Sequence, residues 1–314
     1  MNDIIMKPIS IFLTGGTGFF GKSILSMLKR GFGPELTFTV LSRDPAKFLA
    51  AHPEFSDLRS VDFIAGDVRD FSFPQQPFDY IFHAAAPTVA MPAGVERDII
   101  ISGTKRILDF ARQSGAQRLL FVSSGAVYGP QPPDLERIPE DFPCRPVTEY
   151  GIAKYDAEKM CLDSGIETVT ARCFAFVGPY LNRNIHFAIG NFIRDCLEKR
   201  DIEIRGDGTP FRSYLYADDL VIWLFKILFE GQAGQAYNVG SDQAVSIREL
   251  AETVRKVLQT ENQIVTRGKA DPGKPPERYV PDVSRIQREL KVAVETGLEN
   301  AILKTVLNGK GKAI

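Results

Sequence analysis

The chain is poor in the residues that build metal sites and disulfide frameworks. Its 314 residues include four cysteines and three histidines, and the cysteines show neither a C-x-x-C spacing nor a grouping with His52, His83 or His186. A structural zinc site needs about four such ligands together, and a disulfide scaffold needs many more cysteines in a short chain. We therefore predict no bound metal and expect reduced, structural cysteines at positions 144, 161, 173 and 196.

The chain has no large excess of positive or negative charge, and it has no apolar run long enough to span a membrane. The formal net charge is −1, which gives no broad attraction to nucleic acid or to an anionic membrane. The run LVIWLFKILF at 220–229 is too short to span a bilayer and contains Lys226. The start MNDIIMKPISIFL has no basic leader, which favours a cytoplasmic protein.

Short apolar runs alternate with longer helical patterns through the first half of the chain. The runs are ISIFLT, LTFTVLS, VDFIAGD, YIFHAAA and RLLFVSS, and a segment such as VERDIIISGTKRILDFARQSG has apolar residues at helical spacing. This alternation is typical of an α/β fold whose parallel sheet is covered by helices. We predict a Rossmann doubly wound parallel sheet over residues 1–174. The irregular pattern beyond predicts a smaller α/β substrate-binding domain over 175–314, from which segments can return to the first domain.

A glycine-rich loop follows the first apolar run. Residues 14–21 read TGGTGFFG, matching both Gly16-x-Gly18-x-x-Gly21 and Gly15-x-x-Gly18-x-x-Gly21. A strand precedes the loop and the helical pattern GKSILSMLKRG follows, an arrangement in which backbone N–H groups at a helix start bind a pyrophosphate. We predict a dinucleotide site; the alternative is a tight turn with only a structural role.

The end of the second strand bears on which dinucleotide is bound. An acidic residue about twenty positions beyond the loop is typical of NAD, because it accepts hydrogen bonds from the ribose hydroxyls. Here the strand ends at Ser42 and Arg43 follows, and an arginine suits the 2′-phosphate of NADP. We therefore prefer NADP, with NAD as the alternative. The alternative to a phosphate contact is that Arg43 is a solvated surface residue, with Asp44 beside it.

A serine, a tyrosine and a lysine suggest the chemistry. VSSGAVYG ends the fifth predicted strand, and YGIAKYDAEK follows about twenty residues later. Tyr150 and Lys154 are four residues apart and share a helix face, where an ammonium group favours the phenolate of tyrosine. Tyr155 and Lys159 repeat the spacing, and they point elsewhere because five residues rotate a helix by about 140°. Spacing alone leaves both pairs open.

Seven segments in order give the chain its resemblance to a known family. TGGTGFFG, AGDVRD, HAAA, VSSGAVYG, YGIAKYDAE, RCFAFVGP and GDGTPFRSYLYADDL occur with the spacing of the extended short-chain dehydrogenase/reductases that process nucleotide sugars. The chain therefore resembles the NAD-dependent epimerase/dehydratase family over nearly its whole length. The resemblance implies a nucleotide-sugar substrate and a homodimer.

The resemblance also implies roles for individual residues. The catalytic set would be Ser124, Tyr150 and Lys154. The cofactor would be bound by Gly15, Gly18, Phe19, Phe20, Gly21, Ser42, Arg43, Asp67, Val68, Ala84, Ala85, Ala86, Tyr150 and Lys154, with Asp67 and Val68 beside the adenine. The substrate would be bound by Ser123, Ser124, Asn191, Arg212 and Arg278, with the two arginines on its diphosphate.

Departures from the family pattern reduce the number of reactions that the chain is expected to catalyse. The family's 4,6-dehydratases carry an Asp-Glu pair just after the serine or threonine, where this chain has Gly125 and Ala126, so a 4,6-dehydratase is disfavoured. Ala175 and Val177 replace an asparagine and a tyrosine common in the family. We predict NADPH-dependent reduction of a 4-keto-(6-deoxy) nucleotide sugar in deoxysugar or O-antigen precursor synthesis. The alternatives are an NAD-dependent nucleotide-sugar 4-epimerase and a non-catalytic dinucleotide-binding sensor.

Overall fold

A seven-stranded sheet dominates the fold in the computed structural model, which describes residues 8–33, 35–87, 91–92, 94–185 and 187–309. His186 and the first seven residues lie outside the described residues. The strands of the large sheet are β1 (Ile9–Thr14), β2 (Leu36–Ser42), β3 (Val61–Ala65), β4 (Tyr80–His83), β5 (Arg118–Ser124), β6 (Thr168–Cys173) and, eleventh in the chain, β11 (Ala236–Val239). Their order is β11-β6-β5-β4-β1-β2-β3, and the pairs among β1 to β5 are parallel.

Seven short strands form three small sheets. They are β7 (Phe176–Val177), β8 (Ile202–Ile204), β9 (Phe211–Arg212), β10 (Leu215–Tyr216), β12 (Val245–Ser246), β13 (Ile264–Thr266) and β14 (Arg278–Tyr279). The small sheets have the orders β10-β7, β12-β9-β14 and β13-β8.

The described residues form nine α-helices, most of them between strands. They are α1 (Phe19–Lys29), α2 (Pro45–Ala51), α3 (Val95–Ser114), α4 (Glu149–Leu162), α5 (Ala188–Leu197), α6 (Ala217–Glu230), α7 (Ile247–Val257), α8 (Ser284–Leu290) and α9 (Leu298–Leu307). None of the helices in the described ranges is long and apolar enough to cross a membrane.

Local sequence signals account for the limits of several elements. β1, β2 and β5 coincide with the predicted runs, whereas β3 and β4 end earlier than VDFIAGD and YIFHAAA because the small residues after them lie beyond the strand pairing. Helix α3 ends at Gly115 in the left-handed conformation, and Ser246 with Glu249 forms a capping box at the start of α7. The predicted α/β fold with a Rossmann parallel sheet is confirmed.

The described chain divides into two compact units, each built from three segments. Unit 1 consists of Met1–Ser123, Ile152–Ala171 and Ile227–Ala236, and unit 2 of Ser124–Gly151, Arg172–Lys226 and Tyr237–Ile314. A cluster of aromatic rings packs inside unit 1, comprising Phe12, Phe71, Phe78 and Phe110. In unit 2 the buried Trp223 donates from Nε1 to the carbonyl of Ala293 at 3.1 Å.

Candidate active site

The glycine loop lies at the end of β1, in unit 1, and its backbone geometry requires glycine. Gly15 has φ +75°, and a Cβ there would lie 2.5 Å from the carbonyl oxygen of Ala84. A Cβ on Gly21 would lie 2.1 Å from Cα of Gly16. Gly18 is the N-cap of α1 and has no side chain to accept hydrogen bonds from the first amides of that helix. The loop therefore has the close backbone approach and the open helix start that fit a dinucleotide pyrophosphate.

A buried hydrogen-bonded chain connects β1, β4 and α3 beside this loop. Thr14 Oγ1 lies 2.7 Å from His83 Nδ1, and His83 Nε2 lies 3.1 Å from Thr104 Oγ1. The backbone N–H of Ala85 donates to Thr14 Oγ1 at 3.2 Å, so the hydroxyl hydrogen of Thr14 is available to His83. This chain fixes the segment Ala84–Ala86, the predicted cofactor contact, against the end of β1.

His83 is held neutral in this chain. Burial and, to a smaller extent, the nearby charge of Lys154 lower the pKa of His83 from 6.5 to about 3. A neutral ring has one donor and one acceptor nitrogen, which matches one hydroxyl on each side. No role for His83 was predicted, although its place at the end of a buried strand was a usable signal.

The predicted ribose contacts lie at the end of β2, and the predicted adenine contact Asp67 follows β3. Ser42 is buried and its Oγ accepts the N–H of Asp44 at 3.3 Å, whereas Arg43 is exposed. Asp44 is the N-cap of α2 and accepts the N–H of Lys47 at 2.9 Å. Asp67 binds Arg69, and this contact holds its pKa below the ordinary value, with a smaller contribution from the charge of Arg43.

Val68 lies beside Asp67 but is buried. A Cβ on Gly103 of α3 would lie 2.9 Å from Val68 Cγ1, so that methyl group packs directly on the helix backbone. Its side chain therefore anchors the loop after β3. Only its backbone is left for the predicted adenine contact.

Helix α4 distinguishes the two tyrosine–lysine pairs by burial. Lys154 is 2% exposed, donates from Nζ to the carbonyl of Val122 at 2.9 Å and lies 4.9 Å from the Phe121 ring centroid. Lys159 is half exposed, lies over the Tyr155 ring and pairs with Asp156 at 2.8 Å. A lysine bound to the end of a sheet strand is the one that can act in the predicted site, which favours Tyr150 with Lys154.

The buried carboxyl group of Glu158 continues the same helix face. Ser123 Oγ donates to Glu158 Oε1 at 2.5 Å, and both residues are buried. Ser123 is a predicted substrate contact, but its hydroxyl hydrogen is donated within the protein, to Glu158. Glu158 was not among the predicted site residues, although its position four residues after Lys154 could have suggested it.

In unit 2, Ser124 is surrounded by backbone and by a second tyrosine. Its Oγ accepts the N–H of Ala126 at 3.1 Å and caps the 3₁₀ helix Gly125–Tyr128. The Tyr279 hydroxyl lies close to Gly125, where an added Cβ would be 2.7 Å from its oxygen. Burial raises the pKa of Tyr279 above its ordinary value. Tyr279 was not predicted, because no local pattern marks it.

The two predicted diphosphate arginines lie on neighbouring strands but on opposite faces of one small sheet. In the parallel pairing of β9 and β14, Arg278 is opposite Phe211 and Tyr279 is opposite Arg212. Paired residues share a face and successive residues alternate. Accordingly the Arg278 guanidinium lies 4.4 Å from the Phe211 ring centroid, whereas Arg212 shares its face with Tyr279. Arg212 Nη1 donates to the carbonyl of Phe211 at 2.8 Å.

Asn191, another predicted substrate residue, lies on α5. Its Oδ1 is buried, and no hydrogen-bond donor reaches it from the described part of the chain. Within the same described ranges, no group of three His, Cys, Asp or Glu side chains is arranged to hold a metal ion.

Comparison with known proteins adds to this geometry. The family model described as "NAD dependent epimerase/dehydratase family" matches residues 11–240. UDP-glucuronic acid decarboxylase 6 of Arabidopsis thaliana is 29% identical over 310 residues, covering 92% of this chain and 86% of that protein. GDP-6-deoxy-D-mannose reductase of Pseudomonas aeruginosa is 29% identical over 270 residues, covering 81% and 82%. The solved structure of a dTDP-glucose 4,6-dehydratase double mutant from Streptomyces venezuelae, with NAD bound, is 25% identical with a TM-score of 0.80 and covers 95% of both chains.

Proposed function

The chain belongs to the NAD-dependent epimerase/dehydratase family, as its motif order predicts, and we propose that it reduces the C4 ketone of a nucleotide sugar with NADPH. Relatives in this family include nucleotide-sugar decarboxylases, dehydratases and a reductase. The finer assignment among these reactions depends on the residues around Ser124, Tyr150 and the glycine loop.

Ser124, Tyr150 and Lys154 would perform the proton chemistry. Tyr150 would give its phenol proton to the substrate oxygen as the ketone becomes an alcohol, and Ser124 would donate a hydrogen bond to the same oxygen. Lys154 lies one turn after Tyr150 on α4, where its ammonium group stabilises the phenolate that remains. A dinucleotide whose pyrophosphate is held by the glycine loop would supply the hydride from its nicotinamide.

The packing at Gly125 is the single observation that best supports reduction over dehydration. A dehydratase needs an acid and a base beside the reacting carbons, and this chain has Gly125 and Ala126 in the corresponding positions. A Cβ on Gly125 would lie 2.7 Å from Tyr279 Oη and 2.8 Å from the Phe174 ring. These contacts leave no room for an acidic side chain at this position while the two rings stay where they are.

The preference for NADPH depends on Arg43. Its side chain is exposed directly after β2, and Ser42 beside it carries no charge. The carboxylate of Asp44 accepts the N–H of Lys47 at the start of α2, so it is already hydrogen-bonded within the protein. A 2′-phosphate would gain charge-assisted hydrogen bonds there.

An NAD-dependent 4-epimerase is the second candidate, and a specific observation favours it. Asp67 is close enough to Arg43 for the two charges to interact, so part of the positive charge available for a 2′-phosphate is already offset. The same Ser-Tyr-Lys set serves an epimerase, which returns the hydride to the other face of the keto sugar. The two candidates therefore differ mainly in cofactor preference and cofactor exchange.

Mass spectrometry of the cofactor released from the purified protein, followed by a substrate screen, tests the proposal. We expect NADPH oxidation with at least one 4-keto-6-deoxy nucleotide sugar, measured as loss of nicotinamide absorbance. UDP-glucuronic acid and dTDP-glucose serve as controls for decarboxylation and dehydration. Tightly retained NAD together with interconversion of C4 epimers would contradict reduction in favour of epimerisation.

A further inference from the structure

Two buried hydrogen bonds join helix α4 to the end of strand β5, and both lie within unit 1. Lys154 Nζ donates to the carbonyl of Val122 at 2.9 Å, and Ser123 Oγ donates to Glu158 Oε1 at 2.5 Å. Val122 and Ser123 are consecutive in β5, whereas Lys154 and Glu158 are one helical turn apart and share a face of α4. The helix is therefore attached to the strand at two points, and the predicted catalytic lysine is one of them.

The second attachment supplies what the first one lacks. A lysine side chain is long and flexible, so a hydrogen bond at Nζ fixes the ammonium group but not the helix from which it extends. The centroid of the Phe121 ring lies 4.9 Å from Nζ, again at the tip of the side chain. Glu158 is buried and its carboxylate accepts a hydrogen bond from a side chain of the strand, so this contact fixes the helix one turn beyond Lys154.

Ser123 is predicted from the family resemblance to bind substrate, but its surroundings favour a role within the protein. A serine hydroxyl has one hydrogen to donate, and Ser123 donates it to Glu158. Both side chains are buried, and a hydrogen bond to a carboxylate is roughly twice as strong as one between neutral groups. Giving this hydrogen to a substrate would leave a buried carboxylate without that donor, which is costly.

We propose that Ser123 and Glu158 form a positioning pair for Lys154. Their hydrogen bond holds α4 on the end of β5 and so keeps the Lys154 ammonium group beside the carbonyl of Val122. The role of the pair rests on the proposed function, in which this ammonium group stabilises the phenolate of Tyr150 on the same helix face. Neither residue of the pair needs to contact the substrate, and no covalent bond forms or breaks at either.

Two substitutions of Glu158 separate loss of the hydrogen bond from loss of the negative charge. Glu158→Met keeps the length of the side chain and removes both acceptor oxygens, whereas Glu158→Gln removes the charge and keeps an acceptor oxygen for Ser123. In the full-length enzyme, Glu158→Met should lower kcat for ketone reduction about ten- to a hundred-fold, as expected for a displaced catalytic group, and change KM for the nucleotide sugar less than about two-fold. Glu158→Gln should keep kcat within about three-fold of wild type. Equal losses of kcat in the two variants would overturn the proposal.

Ser123→Ala distinguishes positioning from substrate binding. It should lower kcat as Glu158→Met does, and the double variant should lose no more than either single variant, because both remove the same hydrogen bond. Ser114→Ala is the matched control and should retain activity, since Ser114 is a buried serine of unit 1 whose hydroxyl donates to the carbonyl of Ala111 in its own helix. A raised KM with unchanged kcat in Ser123→Ala would assign Ser123 to the substrate and overturn the pair, as would full additivity of the two substitutions.

Chemical labelling measures the access to Lys154 without substrate or cofactor. Lys154 is buried and should react slowly with acetic anhydride, as measured by mass spectrometry of the labelled peptides. Ser123→Ala and Glu158→Met should raise its labelling rate about ten- to a hundred-fold, which is the effect on a local opening equilibrium of losing one hydrogen bond to a charged group. Lys159, on the same helix and half exposed, is the internal control and should keep its rate.

The labelling rates distinguish failure of the pair from failure of the proposed reaction. Faster labelling of Lys154 in the variants of a protein that reduces no keto sugar would refute the reaction and support the pair. Unchanged labelling of Lys154 in both variants would refute the pair, whatever the reaction. An equal rise at Lys159 would show loosening of the whole helix and would also count against a specific effect on Lys154.

Discussion

The opposite orientations of Arg212 and Arg278 predict unequal contributions to binding of a substrate diphosphate. Both arginines are predicted from the sequence to bind it. The pairing of β9 with β14 places Arg212 on the face that carries Tyr279, whose hydroxyl lies close to Gly125 beside Ser124, whereas Arg278 lies over Phe211 on the other face. A diphosphate attached to a sugar near Ser124 would therefore meet Arg212 first.

The magnitude follows from the kind of contact that is removed. A hydrogen bond to a charged group contributes about 1.5–3 kcal/mol, so Arg212→Ala should raise the dissociation constant of UDP or dTDP about ten- to a hundred-fold. Arg278→Ala removes a cation–π contact of about 0.5–1 kcal/mol with Phe211 and should lower stability slightly. It should change diphosphate affinity by less than about three-fold.

Isothermal titration calorimetry of each variant with UDP, dTDP and NADPH is the measurement. NADPH affinity should stay unchanged in both variants, because neither arginine is among the predicted cofactor contacts. Arg205→Ala, at an exposed arginine of unit 2, controls for general loss of positive charge. Equal losses in Arg212→Ala and Arg278→Ala would refute the argument from strand pairing, and no loss in either would count against a nucleotide-sugar substrate.

Three further predictions concern the cofactor, the proton donor and acid stability. Arg43→Asp should weaken NADPH much more than NADH in fluorescence titrations, because it replaces a cation beside the 2′-phosphate by an anion; equal wild-type affinity for the two cofactors would contradict this. Tyr150→Phe should abolish hydride transfer in the absorbance assay while Tyr155→Phe keeps most of it, and the reverse pattern would mean that the second tyrosine–lysine pair is catalytic. The folded-state pKa of His83 is lowered from 6.5 to about 3, so between these values the native state binds fewer protons than the unfolded state. The free energy of unfolding should therefore fall with falling pH by up to about 1.4 kcal/mol per pH unit. Urea unfolding at several pH values checks this, and an unchanged slope in His83→Gln would refute the assignment.

Much of the fold was predictable because its signals are local. The limits of β1, β2 and β5 follow from apolar runs bounded by polar or turn residues, and Gly115 and Ser246 mark a helix end and a helix start. The glycine loop was predicted from its glycine spacing between a strand and a helix. The structure shows why glycine is needed there: Gly15 has a left-handed backbone, and Gly21 has no room for a Cβ.

The candidate site was predictable only in part. Spacing gave two tyrosine–lysine pairs on α4, and the resemblance to the family favoured Ser124, Tyr150 and Lys154. Spacing has no information on which lysine is buried. The buried contact of Lys154 with the carbonyl of Val122 comes from packing of the helix on β5. That packing is a long-range property, and no feature within residues 150–159 specifies it.

From the sequence alone one could infer the alternation of strands and helices, the glycine loop and the family, because each depends on residues that are close in the chain or on motifs in a fixed order. Which side chains meet depends on long-range packing. The register of β9 with β14 separates Arg212 from Arg278 and places Tyr279, whose hydroxyl lies close to Gly125, on the face of Arg212. Strand register is a pairing between distant segments, and a shift by one residue would exchange the two faces, so these contacts depend on how the chain packs and not on any local pattern.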